Sequence, residues 1–277
     1  AVLTVIAPVS VTAQPANVEL CSGSTATFNV TGSSVQTIVY QWQQSTDGGT
    51  TWTNISGATT NSYQLSTAAS NSGTKYRCLL SNATCTAPTV SGVATLTVRQ
   101  LPTVGLSASI LTILFPGQTT TLTATPSAST GGSLSVNWYQ DGNPIVNAGN
   151  TRLIDVEHTG VYQVRISESW PSLLVCSNQS PNVTILPGVS GKLFVYPTPN
   201  DGQFTVSYYN QGGTAVTRSV SVFDGNGQRV FFKTFNVSGP YTLIPVDVRK
   251  GLSGMYVVVI GDANGKKLTE RKIIVNN

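Results

Sequence analysis

Two tryptophan–tyrosine pairs recur in the same order along this chain and restrict what it can fold into. Trp42 stands in Tyr40-Gln41-Trp42-Gln43, and Tyr76 follows in Thr74-Lys75-Tyr76-Arg77-Cys78. Trp138 stands in Val136-Asn137-Trp138-Tyr139, and Tyr162 follows in Thr159-Gly160-Val161-Tyr162-Gln163-Val164. Around these marks apolar and polar residues alternate in short runs, as at Ala26, Phe28 and Val30, and Gly, Pro, Asn and Asp clusters end each run. Alternation of period two puts one face of a strand inside and the other outside. Helical periodicity is absent, so the chain reads as all-β, folded into sandwiches.

Composition narrows the function classes. The 277 residues allow two or three small domains, and 40% hydrophobic content is enough to build their cores. Only 9% of residues are charged, against about 25% in an ordinary soluble domain. One histidine and one methionine leave little material for acid–base or metal chemistry. No cofactor is expected. No run approaches the roughly 20 apolar residues of a membrane helix. The net charge of +4 is uneven: residues 192–277 hold ten of the fifteen bases and five of the eleven acids. Those bases are not interleaved with aromatics in a stripe, so no nucleic-acid partner is expected.

A Trp between sheets followed by a tyrosine corner is the immunoglobulin pattern. It occurs twice, so residues 8–99 and 100–186 read as tandem immunoglobulin-like domains. Both resemble the immunoglobulin-like repeats of large bacterial surface proteins. Gln41-Trp42-Gln43-Gln44-Ser45-Thr46-Asp47-Gly48-Gly49-Thr50-Thr51-Trp52 is especially similar to repeats of Bacteroidetes proteins. Ala1-Val2-Leu3-Thr4-Val5 matches Ala94-Thr95-Leu96-Thr97-Val98. Residues 1–7 therefore read as the end of a truncated preceding repeat. Pro187-Gly188-Val189-Ser190-Gly191 is a linker by composition.

Residues 192–277 alternate again, with hairpin turns at Asp224-Gly225-Asn226-Gly227 and Asp262-Ala263-Asn264-Gly265. A further sandwich of about seven strands is expected. The series Tyr196-Pro197-Thr198-Pro199-Asn200-Asp201-Gly202, Val222-Phe223-Asp224-Gly225, Pro245-Val246-Asp247-Val248, Leu252-Ser253-Gly254-Met255-Tyr256 and Arg271-Lys272-Ile273-Ile274-Val275-Asn276-Asn277 resembles the C-terminal sorting domain of type IX secretion cargo. Two details depart from the family pattern: Thr198 stands where Asn is usual, and Asn276-Asn277 replaces a basic ending.

The resemblance implies a non-enzymatic protein secreted to the bacterial cell surface, where it is associated with the outer membrane. Its partners would be the translocon, a β-barrel carrier of the outer membrane and a sortase-like protease that joins the passenger to lipopolysaccharide. Carrier contact is expected from Tyr196, Pro197, Pro199, Gly202, Gly254, Tyr256, Lys272, Ile273, Ile274, Val275, Asn276 and Asn277. Ile273, Ile274 and Val275 would supply the apolar anchor. Cleavage would fall in the linker, at Gly188, Val189, Ser190 or Gly191. Three alternatives stay open: the C-terminal part of a secreted enzyme whose catalytic domain lies upstream, a fragment of a eukaryotic adhesion receptor, and a carbohydrate-binding module.

Four cysteines stand at 21, 78, 85 and 176, and export permits disulfides. The strand-B partner usual for Cys78 would fall near Val30, so the ordinary inter-sheet bridge is not expected. The related repeats suggest Cys21 with Cys85, although simple immunoglobulin topology puts those positions at opposite ends. Cys176 is then left without a partner. No cysteine or histidine spacing fits zinc.

His158 precedes the second corner and reads as a structural corner residue. Asp155 and Glu157 lie two apart on an expected strand, facing the same way on a solvated edge. Asp47, Asp141, Asp201, Asp224 and Asp262 sit beside Gly or Asn and read as turn residues rather than calcium ligands. Trp52, Tyr63 and Trp170 are the candidates for a sugar-stacking platform; packing is their other role.

Overall fold

A computed structural model describes residues 7–129, 131–146, 149–212, 214–249, 251 and 253–276. The expected repeat end at residues 1–7 lies outside the described residues except for Ala7. The described chain is all-β, with two short 3-10 turns at Ala69–Asn71 and Val156–His158. By contact it divides into two compact units. One runs up to Val104 and adds Pro126–Val136 and Arg165–Gln179; the other holds Gly105–Thr125, Asn137–Val164 and the chain from Ser180 onward.

In the first unit, Thr25–Asn29 pairs with Ser62–Ser66 to make one sheet. The facing sheet runs Val18–Cys21, Ala94–Arg99, Lys75–Asn82, Ile38–Ser45, Thr53–Asn54. Strict alternation builds the core between them. Tyr76, Cys78, Leu80 and Asn82 point inward from one strand, and Ala94, Leu96 and Val98 from the next. Trp42 is fully buried opposite Cys78, and its indole Nε1 donates to the Thr60 carbonyl at 2.9 Å. Phe28 stacks on Tyr76 with centroids 4.6 Å apart. Burying a side chain of this size contributes about 1.5–3 kcal/mol, and the indole hydrogen bond removes the penalty of a dry N–H.

Cysteine pairing departs from expectation. Cys21 is bonded to Cys176, with Cα atoms 5.7 Å apart, and not to Cys85. Cys21 ends a strand that pairs in parallel with Ala94–Arg99, opposite Arg99. Cys85 lies in a turn past Asn82, where the Asn82 side chain accepts from its N–H at 2.7 Å. These are opposite ends of the sandwich, as strand order alone requires. Cys176 sits on Val175–Gln179, beside Arg165–Ser169. Arg99 completes this corner: its guanidinium pairs with Glu19 at 2.7 Å and lies over the Trp170 ring. Cys78 is a buried thiol, which burial pushes up to about 11.

In the second unit, residues 120–123 pair with Thr151–Ile154, and residues 160–162 pair with residues 183–185. Trp138 is buried, with its Nε1 donating to the Gly149 carbonyl. Tyr162 is buried too, and its hydroxyl donates to the His158 carbonyl, closing the corner. Asp155 and Glu157 are not on a strand. Asp155 caps the turn Val156–His158, accepting from the N–H groups of Glu157 and His158. An Asx cap outcompetes the extended conformation here because it satisfies two backbone donors at once.

The same unit contains a seven-stranded sandwich. Leu193–Tyr196, Gln203–Tyr208 and Ile244–Asp247 make one sheet. Arg229–Val237, Val216–Phe223, Gly254–Gly261 and Lys267–Val275 make the other. Their inward faces meet in a core that includes Val195, Phe204, Val220, Val222, Val258, Ile260 and Val275.

Candidate functional site

The Tyr196–Gly202 turn and the strand Lys267–Val275 come together through one side chain and its backbone. Asn200 is buried. Its Nδ2 donates to the Pro197 carbonyl at 3.1 Å, and its Oδ1 accepts from the Gly202 N–H at 2.9 Å. Its backbone N–H donates to the Ile274 carbonyl at 3.2 Å, and its carbonyl accepts from the Asn276 N–H at 2.7 Å. Asn200 therefore makes a short parallel bridge beside Val275. An Asn ahead of a Gly suits this place because the side chain closes a turn on its own backbone. Asn200 was absent from the residues predicted for carrier contact, although Asn-x-Gly after two prolines was the signal available.

Around it, Tyr196–Pro197 and Thr198–Pro199 are both cis. Gly202 has φ +93°, and a Cβ there would stand 2.9 Å from the Arg249 Cα. Two reasons thus demand glycine: the left-handed backbone and the close approach. The Gly202 carbonyl accepts from the Val248 N–H at 2.8 Å. Asp247 at the same edge is held well below the usual carboxylate range, chiefly because the Arg249 side chain donates to it.

Period two sorts the tail residues. Tyr256, Ile273 and Val275 point into this chain's own core, whereas Lys272, Ile274 and Asn276 face outward. Ile273 and Val275 are consequently unable to serve a partner as an anchor while the sandwich is folded. Of the three adjacent apolar residues expected as an anchor, Ile274 is the one presented outward. Gly254 opens the strand opposite Val275. Asn277 lies outside the described residues.

The linker is fastened at one end. The Gly188 N–H donates to the Leu114 carbonyl, and its own carbonyl accepts from the Tyr241 hydroxyl, both at 2.8 Å. A Cβ on Gly188 would fall 2.4 Å from the Phe115 ring. Val189 is exposed and Ser190 caps the Lys192 N–H at 3.1 Å. Beyond it opens a cleft of about 830 Å³, lined among others by Lys192, Tyr196, Thr198, Glu270 and Arg271.

The remaining candidates are engaged structurally. His158 Nδ1 meets the Asp155 carboxylate at 2.7 Å. Glu157 Oε1 accepts from the Leu243 N–H at 2.8 Å. The five turn aspartates each accept backbone N–H groups: Asp47 from Thr50 and Thr51, Asp141 from Val161, Asp201 from Gln203, Asp224 from Asn226 and Gln228, and Asp262 from Asn264 and Lys266. The described residues include no cluster of His, Cys, Asp or Glu able to hold a metal. The aromatic platform is not assembled. Trp170 is buried, Tyr63 packs on Trp42 and Tyr76, and Trp52 lies under Arg77.

Residues 10–100 match a domain of unknown function, and residues 194–276 match the secretion system C-terminal sorting domain. No curated protein matches the sequence. Among solved structures, the I-band fragment I67-I69 from titin is 15% identical, covering 98% of both chains with a TM-score of 0.37. Immunoglobulin domains 1-5 of Sidekick-1 are 12% identical, covering 98% of this chain and 59% of theirs with a TM-score of 0.34. The Ig1-2 module of the Drosophila receptor tyrosine phosphatase DLAR is 14% identical, covering 66% of this chain and all of its own at 0.28. Scores this low carry no argument about function. The described chain thus folds into β-sandwiches, and its residues 194–276 match a secretion system C-terminal sorting domain.

Proposed function

We propose that this chain is type IX secretion cargo displayed on a bacterial cell surface, divided into immunoglobulin-like modules at 8–99 and 100–186, a linker at 187–191 and a sorting domain at 192–277. The sorting-domain match supports delivery by a secretion system to the surface or the extracellular space. The upstream sandwiches act as stalk or adhesive modules and have no catalytic role. The sorting domain is held by an outer-membrane β-barrel carrier, and the exposed Val189 region is where a sortase-like protease would cut before transfer to lipopolysaccharide.

One observation carries this reading: a sorting-domain match coincides with a last described strand that is pinned by Asn200 and presents Lys272 and Ile274 outward, with Asn276 exposed just beyond it. Exposed groups on a rigidly placed strand can be read by a partner without unfolding the domain. Removing Lys272–Asn277 tests it in a host with a type IX system. The truncated chain should accumulate inside the outer membrane, and its undiminished appearance on the cell surface would refute the proposal.

A further inference from the structure

The five large apolar side chains that the described part of residues 192–276 exposes are Val230, Phe232, Met255, Leu268 and Ile274, each between 41% and 55% exposed. All five stand on the four-stranded sheet, and all on its outer face. Phe231, Tyr256 and Ile273 point inward to the core, so Val230, Phe232, Met255 and Ile274 must point out. Met255 lies opposite Ile274. Half-buried Phe223, Val257 and Val259 fill the rows between them. The other sheet is different: Gln203, Thr205, Pro245 and Asp247 alternate with its core residues, and its outward aromatics Phe194 and Tyr196 are half-buried against Phe115 and Gly117.

Charge on the apolar face is positive. Lys272 is exposed opposite Val257, and the Arg229 guanidinium lies 4.9 Å over the Phe232 ring. The one acid in the rows, Glu270, is paired with Lys267 at 2.8 Å. A second copy meeting this face across a two-fold axis would bring like charges together. The apolar residues also stand on the outer face of paired antiparallel strands. Clefts of this sandwich open at its edges and turns; one reaches Arg229 and Val230 and another Val230 and Met255, both at the turn end of the face. An exposed apolar face whose unpaired charges are cationic suits a fluid anionic surface.

We propose that this face rests on an anionic lipid surface. Phe232, Met255 and Ile274 enter the boundary between headgroups and acyl chains, while Arg229 and Lys272 meet phosphate and keep their stems in the apolar layer. This deepens the reading of residues 192–277 as a surface-delivered domain, but its test does not depend on export.

The test is sedimentation of the intact purified chain with vesicles of neutral phosphatidylcholine or of phosphatidylcholine with about 30 mol% phosphatidylglycerol. The chain should bind the anionic vesicles, and added salt should release it. Lys272→Gln should weaken binding about fivefold, and Phe232→Ser with Met255→Ser should abolish it while the thermal midpoint stays unchanged. Absence of binding at low salt overturns the proposal, as does equal binding to neutral vesicles. A concentration-dependent dimer abolished by the serine pair would also overturn it, by assigning the face to a second copy. Vesicle failure with intact export would leave the secretion reading standing, and the reverse result would leave the lipid reading standing.

Discussion

Asn200 holds Asn276: its carbonyl accepts the Asn276 N–H at 2.7 Å, while its own N–H reaches the Ile274 carbonyl. The last described strand is thereby tied to a turn that lies about seventy residues earlier in sequence. Replacing Asn200 by Ala keeps the backbone bridge but removes both side-chain bonds of the turn. Leaving buried donors and acceptors unmet costs about 1–3 kcal/mol. Amide exchange of residues 272–276 should accelerate, with a lower denaturant midpoint; unchanged protection would show that the turn stands without the side chain.

Gly202→Ala should be destabilising by about 1–3 kcal/mol, because it combines left-handed backbone strain with collision against the Arg249 backbone. By contrast Gly227→Ala, in an open hairpin turn with nothing within 4 Å, should suffer only the strain of its φ of +79°. Comparing the two denaturation midpoints separates crowding from strain, and equal losses would contradict the close approach at Gly202.

The Cys21–Cys176 bond spans 155 residues of sequence. Closing so long a loop in the unfolded chain makes a disulfide worth about 2–4 kcal/mol. Non-reducing peptide mass mapping should yield the Cys21–Cys176 pair. Cys176→Ser or reduction should lower stability accordingly, and a recovered Cys21–Cys85 peptide would contradict the structure.

Alkaline pH should destabilise the fold. Burial pushes Cys78 up to about 11 and Tyr76, Tyr162 and Tyr241 up to about 12. The ordinary values are 9.0 for the thiol and 10.0 for the phenols. The unfolded chain therefore loses these protons first. The stability they contribute is whole below about pH 9 and is lost as pH rises through about 12. Urea midpoints followed from pH 8 to about 11.5 should fall steadily; a flat profile would be inconsistent with four buried neutral acids.

Tyr162→Phe removes the hydroxyl that donates to the His158 carbonyl. The change should cost about 1–2 kcal/mol, measured by chemical denaturation. His158→Ala keeps that carbonyl and should cost less, as the exposed ring contributes only its contact with Asp155.

Local pattern determined the strands, the two Trp–Tyr marks, the hairpin turns and the sandwich class, because period-two alternation and turn chemistry act over a few residues. The sorting-domain likeness was legible for the same reason: its motifs lie in contiguous runs. Only the tertiary structure decided which residues meet across long separations. Strand order moved Cys21 away from Cys85 and toward Cys176. An Asx cap turned Asp155 and Glu157 out of a strand. Pairing of the last strands buried Ile273 and Val275, leaving Ile274 outside with Met255 and Phe232. Alternation says that neighbours face opposite ways, but only packing of the two sheets settles which way is in.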